Sequence, residues 1–354
     1  MSSSGVNQVG GKATSLGAVW TRAVISLSVY LLVWALLVGT LPLSLGGLAL
    51  VDLLRGDRRL PLPRLVLFML IYLSCELGGA AIALTLPVLG GRAKDEQGWS
   101  PFLERCFRLQ LAWGYAIQRA TFFIYGMRLV VESDYDFEAK RPLLLLMRHT
   151  SLADTILAVV CVSRVYGTRL RYILKKELLW DPCLNLVGRQ LPNYFVDRAN
   201  TNPLREVKAV GRLASNLHQG DGVLIYPEGT RFTRKKQAKL RAKFRGKGNK
   251  DLLKWAEGYE NVLPPRLAGT LRMMREAPDA DIVLGGHTGF EAAATFGSLW
   301  RGGLIGKTVR LRFWAVPRSS FPDTPIERRT WIFERWAEMD QFVGQSLGSE
   351  QDGE

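Results

Sequence analysis

The chain has 354 residues, with 47 Lys and Arg against 32 Asp and Glu and a formal net charge of +15. That length suits one large α/β domain with a membrane segment, or two modest domains; the charge calls for an anionic partner, whether nucleic acid, an acidic membrane surface or a phosphorylated substrate. Four cysteines (Cys75, Cys106, Cys161, Cys183) and three histidines (His149, His218, His287) in no metal-like or redox spacing argue against a zinc site and fit a reduced compartment, and the missing Gly-x-Ser-x-Gly elbow argues against an ordinary serine hydrolase.

From the N-terminus, residues 1–18 are rich in Ser and Gly and read as disordered. Residues 19–92 read as a membrane anchor built from two apolar segments. The first, Ala23 to Val51, contains no charged residue; it exceeds the roughly 20 apolar residues that cross a bilayer and is too long for a cleaved signal peptide. The second, Leu65 to Gly91, is interrupted only by Glu76, a carboxylate that must face protein or sit near the interface. Two plain spans would set the loop carrying Arg55, Arg58, Arg59 and Arg64 on the side opposite Lys12, Arg22 and the C-terminal domain, against the positive-inside tendency. The alternative is a monotopic or re-entrant pair, broken at Gly39, Pro42, Gly46 and Gly47 and again at Gly78–Gly79. Both arrangements stay open at this point.

A larger domain follows over 93–345, with an acidic, loose tail over 346–354. Residues 99–124 interleave aromatic and basic side chains, which fits a helix in the headgroup layer or a core helix with snorkelling arginines. Ile124 to Glu132 reads as a strand, with Gly126 as a turn or bulge. Leu143 to Met147 is an apolar run of strand length and reads as a buried strand. His149 then falls at the strand's carboxyl end, where open α/β sheets place their sites. Thr150 or Ser151 is placed to cap the next helix, and Asp154 to fold back under the imidazole, fixing its tautomer and leaving the other nitrogen free to take a proton. Spacing alone fits equally a histidine and an aspartate that merely satisfy a turn.

Alternating βαβ signals come next. Leu170 to Leu174 reads as a strand, Lys175 to Leu179 as a helix start, Tyr194 to Arg198 as a strand end. Pro203 to Gln219 has helical periodicity ended by Gly220, with His218 as a C-terminal cap. Gly222 to Tyr226 reads as a strand running into Pro227-Glu-Gly-Thr-Arg231. There Gly229 permits close backbone approach, Thr230 offers a hydroxyl and Arg231 a planar fork suited to phosphate. Arg198 is either a second cation for that rim or a surface ion pair with Asp197 or Glu206. Residues 231–250 hold ten basic side chains and no acidic one. Arg234, Lys235, Lys236 and Lys239 in that run suit an electrostatic foot on anionic lipid, a clamp for CoA phosphates, or a plain solvated loop; the lack of interleaved aromatics disfavours nucleic acid. Leu267 to Arg275 reads as helix, Asp281 to Gly285 as strand, and Gly285-Gly-His-Thr-Gly289 as a turn holding His287. Val309 to Val316 reads as a strand with Arg310 and Arg312 outward. Pro325 to about Val343 reads as a last helix with Trp331, Phe333, Trp336 and Phe342 on its apolar side.

Three blocks in this order, His149-x₄-Asp154, Phe195-Val-Asp-Arg198 and Pro227-Glu-Gly-Thr-Arg231, resemble the glycerolipid acyltransferase family that includes the lysophosphatidic acid acyltransferases. The resemblance spans about 120 to 345. Tyr226 stands where the third block usually has Phe, Val262-Leu-Pro-Pro-Arg266 fills a looser proline-centred block, and Arg148 stands where many members have Asn. Glu228 to Lys236 followed by Asn261 to Arg266 looks like the lysocardiolipin and lysophosphatidic acid acyltransferase branch. The resemblance implies an α/β domain with a mainly parallel central sheet flanked by helices, behind a hydrophobic helical anchor. It implies a membrane-bound enzyme whose catalytic domain faces the cytoplasm and which needs no metal or cofactor. Acyl-CoA or acyl carrier protein would be the co-substrate and a lysophospholipid the acceptor. His149, oriented by Asp154, would be the base; Glu228, Gly229, Thr230 and Arg231 would position the acceptor phosphate, with Arg198 helping. The rival class is a non-catalytic scaffold that binds acidic lipid through the 231–250 run.

Overall fold

The structure is a computed structural model; it describes the chain apart from residues 1–7, 10–11, 14, 92, 94–97, 152, 198–201, 294–295, 318–319 and 352–354. Its strands are β1 (Gln8–Val9), β2 (Lys12–Ala13), β3 (Arg128–Ser133), β4 (Leu143–Met147), β5 (Arg169–Lys175), β6 (Tyr194–Val196), β7 (Asp221–Ile225), β8 (Asp281–Thr288) and β9 (Thr308–Val316). They form one sheet in the order β2-β1-β6-β5-β7-β4-β8-β9-β3, parallel except for β1–β2 and β8–β9. β4 lies at the centre because all five of its side chains are apolar, which only a sheet covered on both faces accommodates. Alternation sends Leu143, Leu145 and Met147 into one core with Tyr125, Leu157, Val162 and Phe313. Leu144 and Leu146 enter the other, with Val223, Ile225, Met273 and Trp336.

The first face is covered by α3 (Pro101–Tyr125) and by α4 (Asp154–Ala158) with the π-turn that prolongs it, Val159–Arg164. The second is covered by α5 (Pro203–Leu213), α8 (Leu267–Glu276) and α10 (Pro325–Gln351). α6 (Arg234–Gly246), α7 (Lys250–Gly258) and the short α9 (Phe296–Trp300) complete the domain.

Several boundaries differ from the sequence reading. α3 runs through Tyr125 and is capped by Gly126 at φ 63, so the following strand starts at Arg128 rather than Ile124. Lys175 closes β5, and Lys176–Trp180 is a 3₁₀ turn. α5 stops at Leu213, and His218 sits in the next turn beside Asp221 rather than capping a helix. Residues 8–9 and 12–13, expected to be disordered, extend the sheet edge: Val9 pairs with Phe195, and 12–13 pair in turn with 8–9, which covers the open edge of β6. The tail continues α10 as far as Gln351. Most of the basic run over 231–250 is helix α6 (Arg234–Gly246), so the plain-loop alternative falls away. β9 keeps the expected alternation, with Val309, Leu311 and Phe313 buried and Arg310 and Arg312 exposed.

The two apolar segments are α1 (Leu16–Leu54) and α2 (Pro61–Thr85), each long and apolar enough to cross a membrane. Neither is broken: α1 runs through Gly39, Pro42, Gly46 and Gly47, and α2 through Gly78–Gly79. α2 lies along the domain rather than leading away from it. At its start Arg64 donates to the Ile124 carbonyl. At its middle Glu76, fully buried, accepts the Trp113 Nε1–H (3.1 Å) and the Cys183 N–H (3.0 Å). Asp181, from the same loop as Cys183, accepts the hydroxyls of Tyr30 on α1 (2.8 Å) and Tyr72 on α2 (3.2 Å). Glu76 therefore faces protein. Replacing Glu76 with Ala strands two buried N–H donors, so we expect a loss of about 1–3 kcal/mol; it would be read as a lower thermal midpoint in detergent and faster proteolysis between α2 and α3, while unchanged values for both would refute the clasp.

Candidate active site

β4, β7 and β8 are parallel neighbours, so their carboxyl ends open on one rim. From β4 the chain passes through Arg148, His149, Thr150 and Ser151 and re-enters helix at Asp154. Asp154 is completely buried and its carboxylate shapes this turn. Oδ1 accepts the His149 Nδ1–H at 2.9 Å, and Oδ2 accepts the N–H groups of Thr150 (2.6 Å) and Ser151 (2.8 Å). Asp154, the helix's first side chain, gathers the N–H groups of Thr150 and Ser151, while the Ser151 Oγ accepts the Ala153 N–H (3.2 Å) at the entry to α4. Burial would raise the Asp154 carboxyl, but hydrogen bonds and charge from His149 and His287 outweigh it and hold the group well below the usual carboxylate range. An ionised partner on Nδ1 fixes the tautomer and makes Nε2 the nitrogen that takes a proton. The His149 side chain is 11% exposed, and its ring lies on Tyr226 with centroids 4.4 Å apart and planes at 29°.

The β7 loop is stitched to this turn from below. Glu228 is buried, with Oε1 accepting the His149 N–H (3.1 Å) and Oε2 the Leu263 N–H (2.9 Å). Its carboxylate thus faces the backbone of two loops, where the sequence reading had it facing the acceptor phosphate. Phe232 N–H donates to the His149 carbonyl (2.7 Å) and Arg266 N–H to the Pro227 carbonyl (2.7 Å), so the proline-centred block belongs to the same assembly. Gly229 sits at φ +65, and a Cβ there would come within 2.8 Å of Arg266 Cδ. Lys236 Nζ donates to Thr230 Oγ1 (2.9 Å) and to the Arg231 carbonyl (2.8 Å). The Arg231 side chain is half-buried on this rim. On α6, Arg234 donates to the Glu260 carbonyl (2.7 Å), while Lys235 and Lys239 are exposed. Arg198 lies outside the described residues.

Two residues enter the site that the sequence reading did not assign to it. β8 extends to Thr288, paired with Arg310 of β9, so His287 is a strand residue and not a turn residue. It is fully buried, with Nε2 at 3.0 Å from the Arg148 carbonyl and 3.4 Å from Asp154 Oδ2. Arg148 is fully buried as well, donating to Glu291 Oε1 (2.5 Å), the His287 carbonyl (2.6 Å) and the Asn261 carbonyl (3.0 Å). The available signal for Arg148 was its position: an arginine on a buried strand end requires a carboxylate and carbonyls. Among the described residues no group of His, Cys, Asp and Glu could hold a metal ion.

Residues 128–284 match the protein-family model described as Acyltransferase. That stretch is an acyltransferase-family domain. The fold is similar to the crystal structure of the 1-acyl-sn-glycerophosphate (LPA) acyltransferase PlsC from Thermotoga maritima, at 19% identity and a TM-score of 0.50, over 78% of this chain and 93% of that one. No curated protein matches the sequence. The expected α/β domain with a mainly parallel sheet flanked by helices is what the acyltransferase domain shows.

Burial pushes the Glu228 carboxyl up to about 8, against the Leu263 N–H, the charge of Arg148 and the His149 N–H. A carboxyl whose folded value lies above its unfolded value of about 4.3 stabilises the fold fully at acid pH and loses that contribution as pH rises through the folded value. We therefore expect the thermal midpoint to fall as pH rises from about 5 to about 8 and to level off above that, with this component missing in Glu228→Gln. A midpoint that is flat over this range in the parent protein would contradict the assignment.

Proposed function

We propose that the acyltransferase domain moves a fatty acyl group from acyl-CoA, or from acyl carrier protein, to the free hydroxyl of a lysophospholipid. The first candidate acceptor is 1-acylglycerol-3-phosphate, which would give phosphatidic acid. The observation that carries this reading is the His149–Asp154 hydrogen bond on the same strand-end rim as Thr230 and Arg231. His149 Nε2 takes the proton of the acceptor hydroxyl as its oxygen attacks the thioester carbonyl. The C–S bond then breaks, and the thiolate leaves with the proton returned from Nε2. General-base help of this kind is worth about 10²–10⁴-fold. Arg231, Thr230 and the Gly229 backbone offer the acceptor phosphate a cation and donors, with Arg198 as a further cation; Glu228 holds the two loops in register. Lys235 and Lys239, exposed on α6, suit phosphates of CoA or of an anionic bilayer. The domain is set at the membrane surface by α1 and α2, catalytic side toward the cytoplasm, as a monotopic hairpin. Support for that topology is the contact of α2 with the domain along its length, from Arg64 to Glu76.

Purified protein given oleoyl-CoA and a panel of lysolipids (lysophosphatidic acid, lysophosphatidylinositol, lysocardiolipin, lyso-aminolipids), with products read by mass spectrometry, should yield a diacyl product with at least one acceptor. His149→Ala should lower turnover by about 10³-fold or more. Turnover retained in that variant overturns the mechanism, and a parent protein inert toward every acceptor favours the lipid-binding scaffold. For topology, Arg58→Cys in sealed vesicles should label from the side on which the catalytic domain lies. Labelling only from the opposite side would mean two plain spans.

A further inference from the structure

We propose that His287 is a positioning residue for acyl transfer: its Nε2–H, shared between the Arg148 carbonyl and Asp154 Oδ2, fixes the carboxylate that orients His149. This rests on the reading of His149 as the base. A carbonyl oxygen only accepts, so the 3.0 Å contact with the Arg148 carbonyl puts a proton on His287 Nε2. Asp154 Oδ2, at 3.4 Å, is reached by the same proton. Together with the N–H groups of Thr150 and Ser151 and the Thr150 hydroxyl (3.5 Å) this gives Oδ2 four donors, and Oδ1 is left to His149. A carboxylate held at one oxygen by four donors has no freedom to swing, so its other oxygen keeps one ring orientation.

The rest of the cluster explains why a histidine serves here. The charged groups facing His287 are Asp154 on α4, the Arg148 guanidinium after β4, and Glu291 beyond β8; the Phe290 ring meets it edge-on at 5.9 Å. Arg148 and Glu291 neutralise one another at 2.5 Å. Nδ1 of His287 is buried and has no hydrogen-bond partner among the described residues. Nδ1 faces no acceptor, so the ring proton the site uses is the one on Nε2. The Asp154 carboxylate beside His149 matches the positive charge that His149 gains as it takes the acceptor's proton. Arg148 closes the loop mechanically: its backbone carbonyl receives His287, and its side chain grips the His287 carbonyl at 2.6 Å. The turn after β4 and the end of β8 are thereby tied in both directions.

The test compares His287→Phe, which fills the space without a donor, with His287→Gln, whose amide N–H reaches the Nε2 position. Each is assayed below its own melting onset, with oleoyl-CoA and the best acceptor of the panel. We expect His287→Phe to lower kcat by about 10- to 100-fold with both KM values within about twofold. His287→Gln should recover most of that loss, and the addition of His287→Phe to His149→Ala should cause no further loss. An unchanged kcat in folded His287→Phe, or a folded His287→Gln as impaired as the Phe variant, overturns the proposal. Should the Phe variant not fold, the Gln variant and ¹⁵N imidazole spectra of the parent protein decide: His287 must appear as the Nε2–H tautomer, and an Nδ1–H tautomer refutes the bond. Failure of the underlying reading looks different, since His149→Ala would then stay active whatever His287 does.

Discussion

The Asp154 carboxylate is the constraint on which the rim carrying His149 depends. A buried anion is tolerated only where donors replace the water it has lost. Here the donors are the Thr150 and Ser151 N–H groups, the Thr150 hydroxyl, His149 and His287. Each donor comes from a segment that must hold still for the bond to last: three from Thr150 and Ser151 in the turn after β4, one from the His149 ring, one from the end of β8. The carboxylate is therefore both the partner that orients the His149 ring and the reason the turn has its shape. A proton gained by His149 creates an ion pair in a setting with little solvent, where its attraction is far stronger than in water.

The second constraint is register between loops. Glu228 lies between the His149 and Leu263 backbones, and Phe232 N–H closes the ring back to the His149 carbonyl. Arg148 performs the matching task on the β8 side through Glu291 and two carbonyls, one of them that of Asn261. Asn261 in turn is fixed by Asp340 of α10, which accepts its N–H at 2.5 Å. The site is thus tied to β4, β7, β8 and the last helix. Polar networks this connected favour one geometry over neighbouring ones, because every partial rearrangement leaves a buried group unmatched.

Much of this frame was legible in the sequence. Apolar runs at Leu143–Met147 and Gly222–Tyr226 announced buried parallel strands, and the motif residues fell at their ends. What failed did so for identifiable reasons. Gly285-Gly-His-Thr read as a turn because glycine is depleted in strands. In fact a Cβ at Gly285 would lie 2.8 Å from Met147, and one at Gly286 2.7 Å from Phe342; these glycines make room for crossing side chains rather than for a bend. Local pattern cannot show that, since Met147 and Phe342 are distant in the chain. For the basic run the sequence left a lipid foot, a CoA clamp and a plain solvated loop open, because a row of like charges carries no periodic apolar face. Its Lys, Arg, Ala, Leu and Gln are nonetheless strong helix formers. Thr233 caps the Lys236 N–H at 3.2 Å, and Arg241 donates to the Ala256 (2.9 Å) and Tyr259 (2.8 Å) carbonyls. Part of the charge is drawn inward, and that offsets the repulsion.

The N-terminal hairpin follows the same logic of satisfaction. α1 has 39 residues, about 58 Å at 1.5 Å per residue, against a hydrocarbon core of about 30 Å. Only three of its side chains, Ala23, Ser26 and Asp52, are buried, and Leu31, Leu36, Leu43, Leu50 and Leu53 stand exposed. A continuous apolar surface of this extent calls for lipid rather than water. Its polar tethers point the other way, toward protein: Tyr30 to Asp181, Asp52 to the Leu62 N–H at 2.8 Å, and Val19 to Asn185. Glu76 shows why α2 cannot leave the domain, because its two donors come from α3 and from the Cys183 loop. Withdrawing α2 into hydrocarbon would carry an unmatched carboxyl with it and strand both donors, a penalty of several kcal/mol in that medium. The same few polar contacts that hold the hairpin therefore keep the exposed face of α1 at a fixed orientation to the rim that carries His149.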